Sequence, residues 1–263
     1  MFRKLGRRYE DFRKSLDTRA RSRRGVVLIS YPKSGRTWMR FMLDAAGVCI
    51  RYDHAGSENR LALPFEEIGG RITDWRDWRV VFMHRDPRDT VVSCYFQATR
   101  RVKEKYAYRG RIADFIRDPR YGIEKIARFN LHWLESAGEF RDYTALSYEC
   151  LHAKTELELA RIIRFSTGRE PGKPVLDRLV SKGRFDNMRA VEVRKGGRID
   201  EGTRLGGGRG GDDDCLKTRR GKVGGWTDYF DAEDIAWMEG VLERLNYWER
   251  ISVPPGPETA AAD

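Results

Sequence analysis

Val26-Val27-Leu28-Ile29-Ser30-Tyr31-Pro32-Lys33-Ser34-Gly35-Arg36-Thr37-Trp38 is the stretch that decides the fold. Val26 to Tyr31 is a short, unbroken apolar run rich in β-branched residues, the pattern of a strand buried on both faces in a parallel sheet. Pro32 to Gly35 reads as a turn. From Thr37, through Trp38, Met39, Phe41, Met42 and Leu43 to Gly47, the spacing predicts a helix. The first N–H groups of a helix lack backbone partners and carry partial positive charge, so an anion binds there readily. Lys33, Ser34, Arg36 and Thr37 add side-chain donors around Gly35, giving a phosphate cradle. It is not a Walker A loop, because GxxxxGK[ST] is absent and Lys33 precedes Gly35. Taken alone, it reads equally well as an ordinary strand–helix turn.

A second unit of the same kind follows. Val80-Val81-Phe82-Met83 is a predicted strand. Asp86-Pro87 fits an N-cap followed by proline at the first helical position, and the helix runs on through Val91, Val92, Tyr95 and Phe96. Further helices are predicted at 121–140, 154–167, 174–182 and 231–246, and a third strand at Thr144–Tyr148. Alternating strands and helices predict an α/β fold: three layers, αβα, around a central parallel sheet with a P-loop-like strand–loop–helix.

The chain has 263 residues, 40% of them hydrophobic and 11% aromatic, which is enough to bury a core and excludes wholesale disorder. No apolar run approaches the roughly 20 residues of a membrane span, and no secretory signal stands at the charged N-terminus. Cys49, Cys94, Cys150 and Cys215 are widely spaced and form no CxxC pair, so a cytoplasmic, reducing setting is expected. The net charge is +11, and residues 1–24 alone, with ten Lys/Arg and three Asp/Glu, hold +7 of it. A binder of nucleic acid through its folded surface is therefore not expected.

Phe2, Leu5, Tyr9, Phe12 and Leu16 recur at helical spacing, so 1–24 reads as a basic amphipathic arm. It either docks on the body or touches an anionic surface. Residues 25–252 are expected to form one domain. Within it, 196–214 is a Gly-rich loop or lid, with eight glycines between 196 and 211, and 253–263 is a frayed tail.

Two more segments carry chemistry. In His84 to Ser93 (HRDPRDTVVS), Arg85 leaves the end of the second strand and Ser93 lies along the following helix. Ligands of open α/β sheets sit at the carboxyl ends of strands, so these two residues suit a second phosphate, the guanidinium offering a bidentate contact. The plainer reading pairs Arg85 with Asp86 or Asp89. In Arg219 to Trp226 (RRGKVGGW), two arginines and Gly221 suit another phosphate contact, although in isolation the run reads as a solvated charge cluster.

Together and in this order, the three segments resemble the sulfotransferase family that uses 3′-phosphoadenosine 5′-phosphosulfate (PAPS). The similarity extends loosely from Val26 to Trp248. It implies that Lys33, Ser34, Gly35, Arg36 and Thr37 hold the 5′-phosphosulfate, and that Arg85, Ser93, Arg219, Arg220 and Gly221 hold the 3′-phosphate. Trp38, Tyr148 (in Ser147-Tyr148-Glu149), Phe185 and Met188 match the positions that line adenine. Arg36 replaces a Thr or Asn and is expected to add charge near the 5′-phosphate without impairing binding. Arg220 replaces Lys and Gly225 replaces Asp. Arg194-Lys195-Gly196 spells part of the third motif but lacks the Trp context.

The resemblance implies sulfuryl transfer from PAPS to a hydroxyl, or an amine, of a small-molecule or saccharide acceptor, leaving 3′,5′-adenosine bisphosphate. Lys33 stabilises the leaving oxygen. His54 is expected to be the catalytic base, with Glu58, Glu66 and Glu67 as alternatives. No metal is expected. A phosphoryl transferase shares the cradle but needs a Walker lysine and an acidic Mg²⁺ site. A non-catalytic polyanion-binding protein led by the basic arm is the other alternative. The acidic residues between 53 and 78 point to a polar or cationic small acceptor rather than a sulfated polymer.

Overall fold

The computed structural model describes residues 25–58, 63–194 and 213–252. The arm 1–24 and the tail 253–263 lie outside the described residues, as does the Gly-rich stretch apart from its last two positions, which open a 3₁₀ turn at Asp213–Cys215.

Among the described residues, four strands form one parallel sheet: β1 (Val26–Ser30), β2 (Arg51–Asp53), β3 (Arg79–His84) and β4 (Asp142–Ser147), in the order β2-β1-β3-β4. Leu28 faces Tyr52 across one edge of β1 and Val81 across the other, and Phe82 pairs with Ala145. The helices are α1 (Arg36–Ala45), α2 (Phe65–Ile68), α3 (Pro87–Phe96), α4 (Ile112–Arg117), α5 (Ile123–Glu135), α6 (Tyr148–Ala153), α7 (Thr155–Thr167), α8 (Lys173–Lys182), α9 (Phe185–Arg194), α10 (Ala232–Arg244) and α11 (Tyr247–Ser252).

Both faces of the sheet are covered, which is why its strands are apolar throughout rather than alternating. Val27, Ile29, Val80 and Phe82 pack with Val91, Phe129, Trp133, Met238 and Tyr247 from α3, α5, α10 and α11. The intervening Leu28, Val81 and Met83 face Met39, Met42, Leu159 and Leu179 from α1, α7 and α8. The three-layer α/β architecture expected from the sequence is the one observed.

Local differences have local causes. The third strand ends at Ser147, not Tyr148, because the Ser147 hydroxyl accepts the Cys150 N–H at 2.9 Å and caps α6. The 121–140 helix stops at Glu135, and Ala137–Glu139 forms a 3₁₀ turn. Asp86 caps α3 by accepting the Arg88 N–H at 2.8 Å, with Pro87 behind it, as predicted. β2 was not predicted. Its three residues carry no apolar run, and His54 therefore stands at a strand end rather than in an open loop. Among the described residues, no helix is long and apolar enough to cross a membrane.

Candidate active site

From β1 the chain turns through α1 to β2 on one side, and β3 then returns to the other side of β1. The carboxyl ends of β1 and β3 thus flank the point where the connections diverge, which is where open α/β sheets form their ligand crevice. Pro32–Gly35 leaves β1 there, and Arg85 leaves β3.

The loop after β1 is shaped by two left-handed residues, Lys33 (φ 74°) and Gly35 (φ 97°). Gly35 is the N-cap of α1 and supplies no side-chain acceptor, and the first turn has no acidic residue. The positive end of α1 is therefore left uncompensated by its own sequence. Ser34 is fully buried, and its hydroxyl has no hydrogen-bond partner. Lys33 is lowered to about 7, first by burial and then by the nearby cations Arg101 and Lys217. An ammonium so placed gains its charge back when an anion arrives.

One aromatic ring joins the first two motifs. The Arg85 guanidinium carbon lies 4.2 Å from the centroid of Tyr148. Gly35 lies so close to the same ring that a Cβ there would sit 2.5 Å from Tyr148 Cδ2. Trp38 meets Tyr148 edge-on, with centroids 5.7 Å apart, and donates its indole N–H to the Gly183 carbonyl at 2.8 Å. Arg85 pairs with Asp89 at 3.3 Å, the simpler of the two readings, and donates to the Lys222 carbonyl at 3.2 Å. Its Nε is nevertheless buried without a partner. Ser93 is half-buried one turn beyond Asp89 on α3.

The third motif is tied to the second through Asp89. Its carboxylate accepts the N–H of Gly224 at 2.8 Å and of Trp226 at 3.1 Å. Gly221 (φ 64°) rests against Phe185, where a Cβ would come within 2.6 Å of the ring. Met188 packs with Phe41, and Trp38 packs against both. Arg189 donates to the carbonyls of Thr218 and Arg219. Arg219 bonds to the Tyr229 hydroxyl and lies 4.3 Å over the Phe96 ring. Arg220 is exposed and paired with Asp228 at 2.8 Å. Gly35, Trp38, Arg85 and Tyr148 are thus joined by contacts, Phe185 meets Gly221, Met188 and Phe41 pack with Trp38, and Lys33 and Ser34 precede Gly35 in the same loop. The guanidinium of Arg220 turns outward, and that of Arg219 is engaged by aromatic rings.

His54 stands just beyond β2. Its Nδ1 lies 2.7 Å from the Ser30 carbonyl, and its Nε2 lies 2.6 Å from Arg36 Nη2. A carbonyl only accepts and a guanidinium only donates, so Nδ1 carries the hydrogen and Nε2 accepts from Arg36. Burial, then the Arg36 charge, lower the imidazole to about 3. Arg36 was expected to serve the cradle alone. Among the alternative carboxylates, Glu66 and Glu67 are exposed on α2, and Glu66 is bonded to Arg128. Glu58 is half-buried beyond β2.

Sequence reasoning did not find Gly183, whose carbonyl orients Trp38, nor Glu192. The Glu192 carboxylate accepts the Lys217 and Thr218 N–H groups and fixes the entry to the third motif. No local pattern marks either residue. Among the described residues, no group of three or more His, Cys, Asp or Glu is placed to hold a metal ion.

Flavonol 3-sulfotransferase of Flaveria bidentis is 21% identical over 261 residues, covering 83% of this chain and 80% of the relative. The fold matches mouse sulfotransferase SULT7A1 complexed with PAP at a TM-score of 0.59 and 16% identity, covering 84% of this chain and 83% of that one. It also matches retinol dehydratase in complex with androsterone and inactive cofactor PAP, at a TM-score of 0.58 and 16% identity, covering 89% and 82%. A family profile described as the sulfotransferase domain matches residues 74–247, which is more than half of the sequence, and the chain belongs to that family.

Proposed function

We propose that the chain transfers the sulfuryl group of PAPS to a hydroxyl of a small organic acceptor, releasing 3′,5′-adenosine bisphosphate. One observation carries this reading. Two buried donors without partners, Ser34 Oγ and Arg85 Nε, stand beyond the ends of the adjacent strands β1 and β3, and Arg85 and Ser34's neighbour Gly35 both pack on the Tyr148 ring. Buried polar atoms are rarely left unpaired, and here they suit a ligand with two separated anionic ends. An adenosine carrier phosphorylated at both the 5′ and 3′ positions has that form.

The residues divide the work. Lys33, Ser34, Thr37 and the first N–H groups of α1 receive the 5′ end. Arg85, Ser93, Arg219, Arg220 and Gly221 receive the 3′-phosphate, and both arginines of the third motif must turn from their present partners to do so. Trp38, Tyr148, Phe185 and Met188 enclose the base. When bound, PAPS supplies a sulfuryl group on a good leaving oxygen. His54 Nε2 accepts the acceptor's proton as the new O–S bond forms. The old S–O bond breaks, and its electron pair stays on the 5′-phosphate oxygen, where Lys33 stabilises the added charge.

The relatives' small hydroxylated ligands favour a compact acceptor over a polymer, as do the acidic residues between 53 and 78. A sugar hydroxyl or an amine belongs to the same screen. The free cysteines, two of them exposed, suit a reducing cytoplasmic setting. The test is an acceptor screen with sulfur-labelled PAPS, pooled by chemical class. Label should move to a hydroxyl compound without added metal. Transfer of labelled phosphate from ATP instead would establish the phosphoryl-transferase reading.

A further inference from the structure

The contact between Arg36 and His54 is unusual for a catalytic base. The imidazole has one free lone pair, on Nε2, and Arg36 Nη2 occupies it at 2.6 Å. The other nitrogen is committed to the Ser30 carbonyl at 2.7 Å. In this arrangement no atom of His54 can take a proton from an acceptor. Arg36 is the first residue of α1 and follows Gly35, so its backbone belongs to the anion cradle while its guanidinium reaches His54.

Arg36 is poorly matched to its present partner. It is half-buried, and burial lowers it to about 10, so it remains a cation at neutral pH. Its direct hydrogen-bond partner is a neutral ring. Asp53 and Glu58 add favourable charge from a distance, and Arg40 opposes it. A phosphate or sulfonate oxygen is a stronger partner for a guanidinium than an imidazole nitrogen, because both groups are charged and the hydrogen bonds form in pairs. An anion arriving at the start of α1 therefore competes well for Arg36.

Resting on the sulfotransferase reading, we propose that Arg36 is a positioning residue that ties the base to the cradle: it masks His54 Nε2 while the cradle is empty and leaves it when the 5′ anionic group binds. The acceptor then meets a competent base only after the carrier is in place. The charges around His54 act in the same direction. It faces Arg36 on α1, Lys33 on the loop and the Ser30 carbonyl on β1. Protonating the ring between two cations is unfavourable until an anion stands among them.

The test follows the His54 ring by NMR titration in the full chain. Its signals are separated from those of His84, His132 and His152 with a His54→Gln spectrum. The free wild type should show no His54 midpoint above pH 5. Saturating 3′,5′-adenosine bisphosphate should raise that midpoint by one pH unit or more. In Arg36→Thr the free protein should already titrate at least one unit above the wild type, and bisphosphate should move it by less than half as much as it moves the wild type. Binding of bisphosphate, seen at the Ser34 and Gly35 amides, with an unmoved His54 midpoint would overturn the coupling and leave the sulfotransferase reading intact. An Arg36→Thr midpoint equal to that of the wild type would also overturn it. Failure of bisphosphate to bind at all would remove the reading and the coupling together. The wild-type arm stands even where Arg36→Thr does not fold.

Discussion

The carboxylate of Asp89 accepts the backbone N–H of Gly224, 135 residues away in sequence, at 2.8 Å. The same carboxylate pairs with Arg85 and accepts the Trp226 N–H. One buried side chain thus holds the second and third motifs in a fixed relation. Removing one partner of such a pair leaves an uncompensated charge and costs about 3–5 kcal/mol. Asp89→Ala should lower stability by about that amount in urea unfolding and weaken bisphosphate binding as well. Asp89→Asn keeps one acceptor oxygen and should lose less stability. A variant Asp89→Ala that binds bisphosphate like the wild type would mean that the motifs do not need this link.

Arg85 reads the 3′ end under the proposed function, because its Nε is a buried, charged donor without a partner at the end of β3. AMP lacks that phosphate. Arg85→Ala should therefore weaken 3′,5′-bisphosphate at least tenfold more than AMP, about 1.4 kcal/mol of difference or greater. Calorimetry with both nucleotides measures this directly. Equal losses would place Arg85 in a structural role, holding Tyr148 through the 4.2 Å ring contact.

Lys33 gives a pH signature. It is lowered to about 7, chiefly by burial, so at pH 8 most of it is neutral in the free protein. A bound anion stabilises the ammonium and raises its pKa, so binding above pH 7 takes a proton from solution. Calorimetry at pH 8 in two buffers of different ionisation heat should show uptake approaching one proton. Near pH 6 the part of the uptake that belongs to Lys33 should fall away, because Lys33 is already charged there. Lys33→Asn should abolish the uptake, and asparagine tolerates the left-handed φ of 74°. The same variant should lose about 10²–10³-fold in kcat as the leaving oxygen loses its cation. No uptake in the wild type would show that Lys33 is an ordinary surface amine.

The strand–loop–helix units were legible because their signals are local. The apolar run Val26–Ser30 and the Asp86-Pro87 cap act within a few residues of themselves. β2 was not legible, since Arg51-Tyr52-Asp53 gains its stability from partners elsewhere. Its backbone pairs with β1, and the Arg51 guanidinium lies 5.0 Å over Trp75. The candidate residues were legible as types in an order, but their couplings were not. Arg36 and His54 are 18 residues apart and meet only because β2 lies beside β1. The sequence offered Asp86 or Asp89 as a partner of Arg85, and the hold of Asp89 on Gly224 and Trp226 exists only in the folded chain.

Gly35 is the tightest point of the site, and its substitution tests the packing on which the rest depends. With φ at 97° the backbone is one that L-residues avoid, at about 1–2 kcal/mol. A Cβ would also stand 2.5 Å from Tyr148 Cδ2 and 2.7 Å from Met83 Cε. Met83 is fully buried in the sheet and cannot retreat into solvent. The Tyr148 ring is the part that must give, and moving it removes the surface on which Arg85 rests. Overpacking of this kind adds about 1–3 kcal/mol. Gly35→Ala should therefore melt well below the wild type and lose bisphosphate affinity. Gly138→Ala, where a Cβ meets nothing within 4 Å, should change stability by no more than about 0.5 kcal/mol. If the two alanine variants melt together, the ring does not brace the loop, and the contact between the first two motifs carries no weight in forming the cradle.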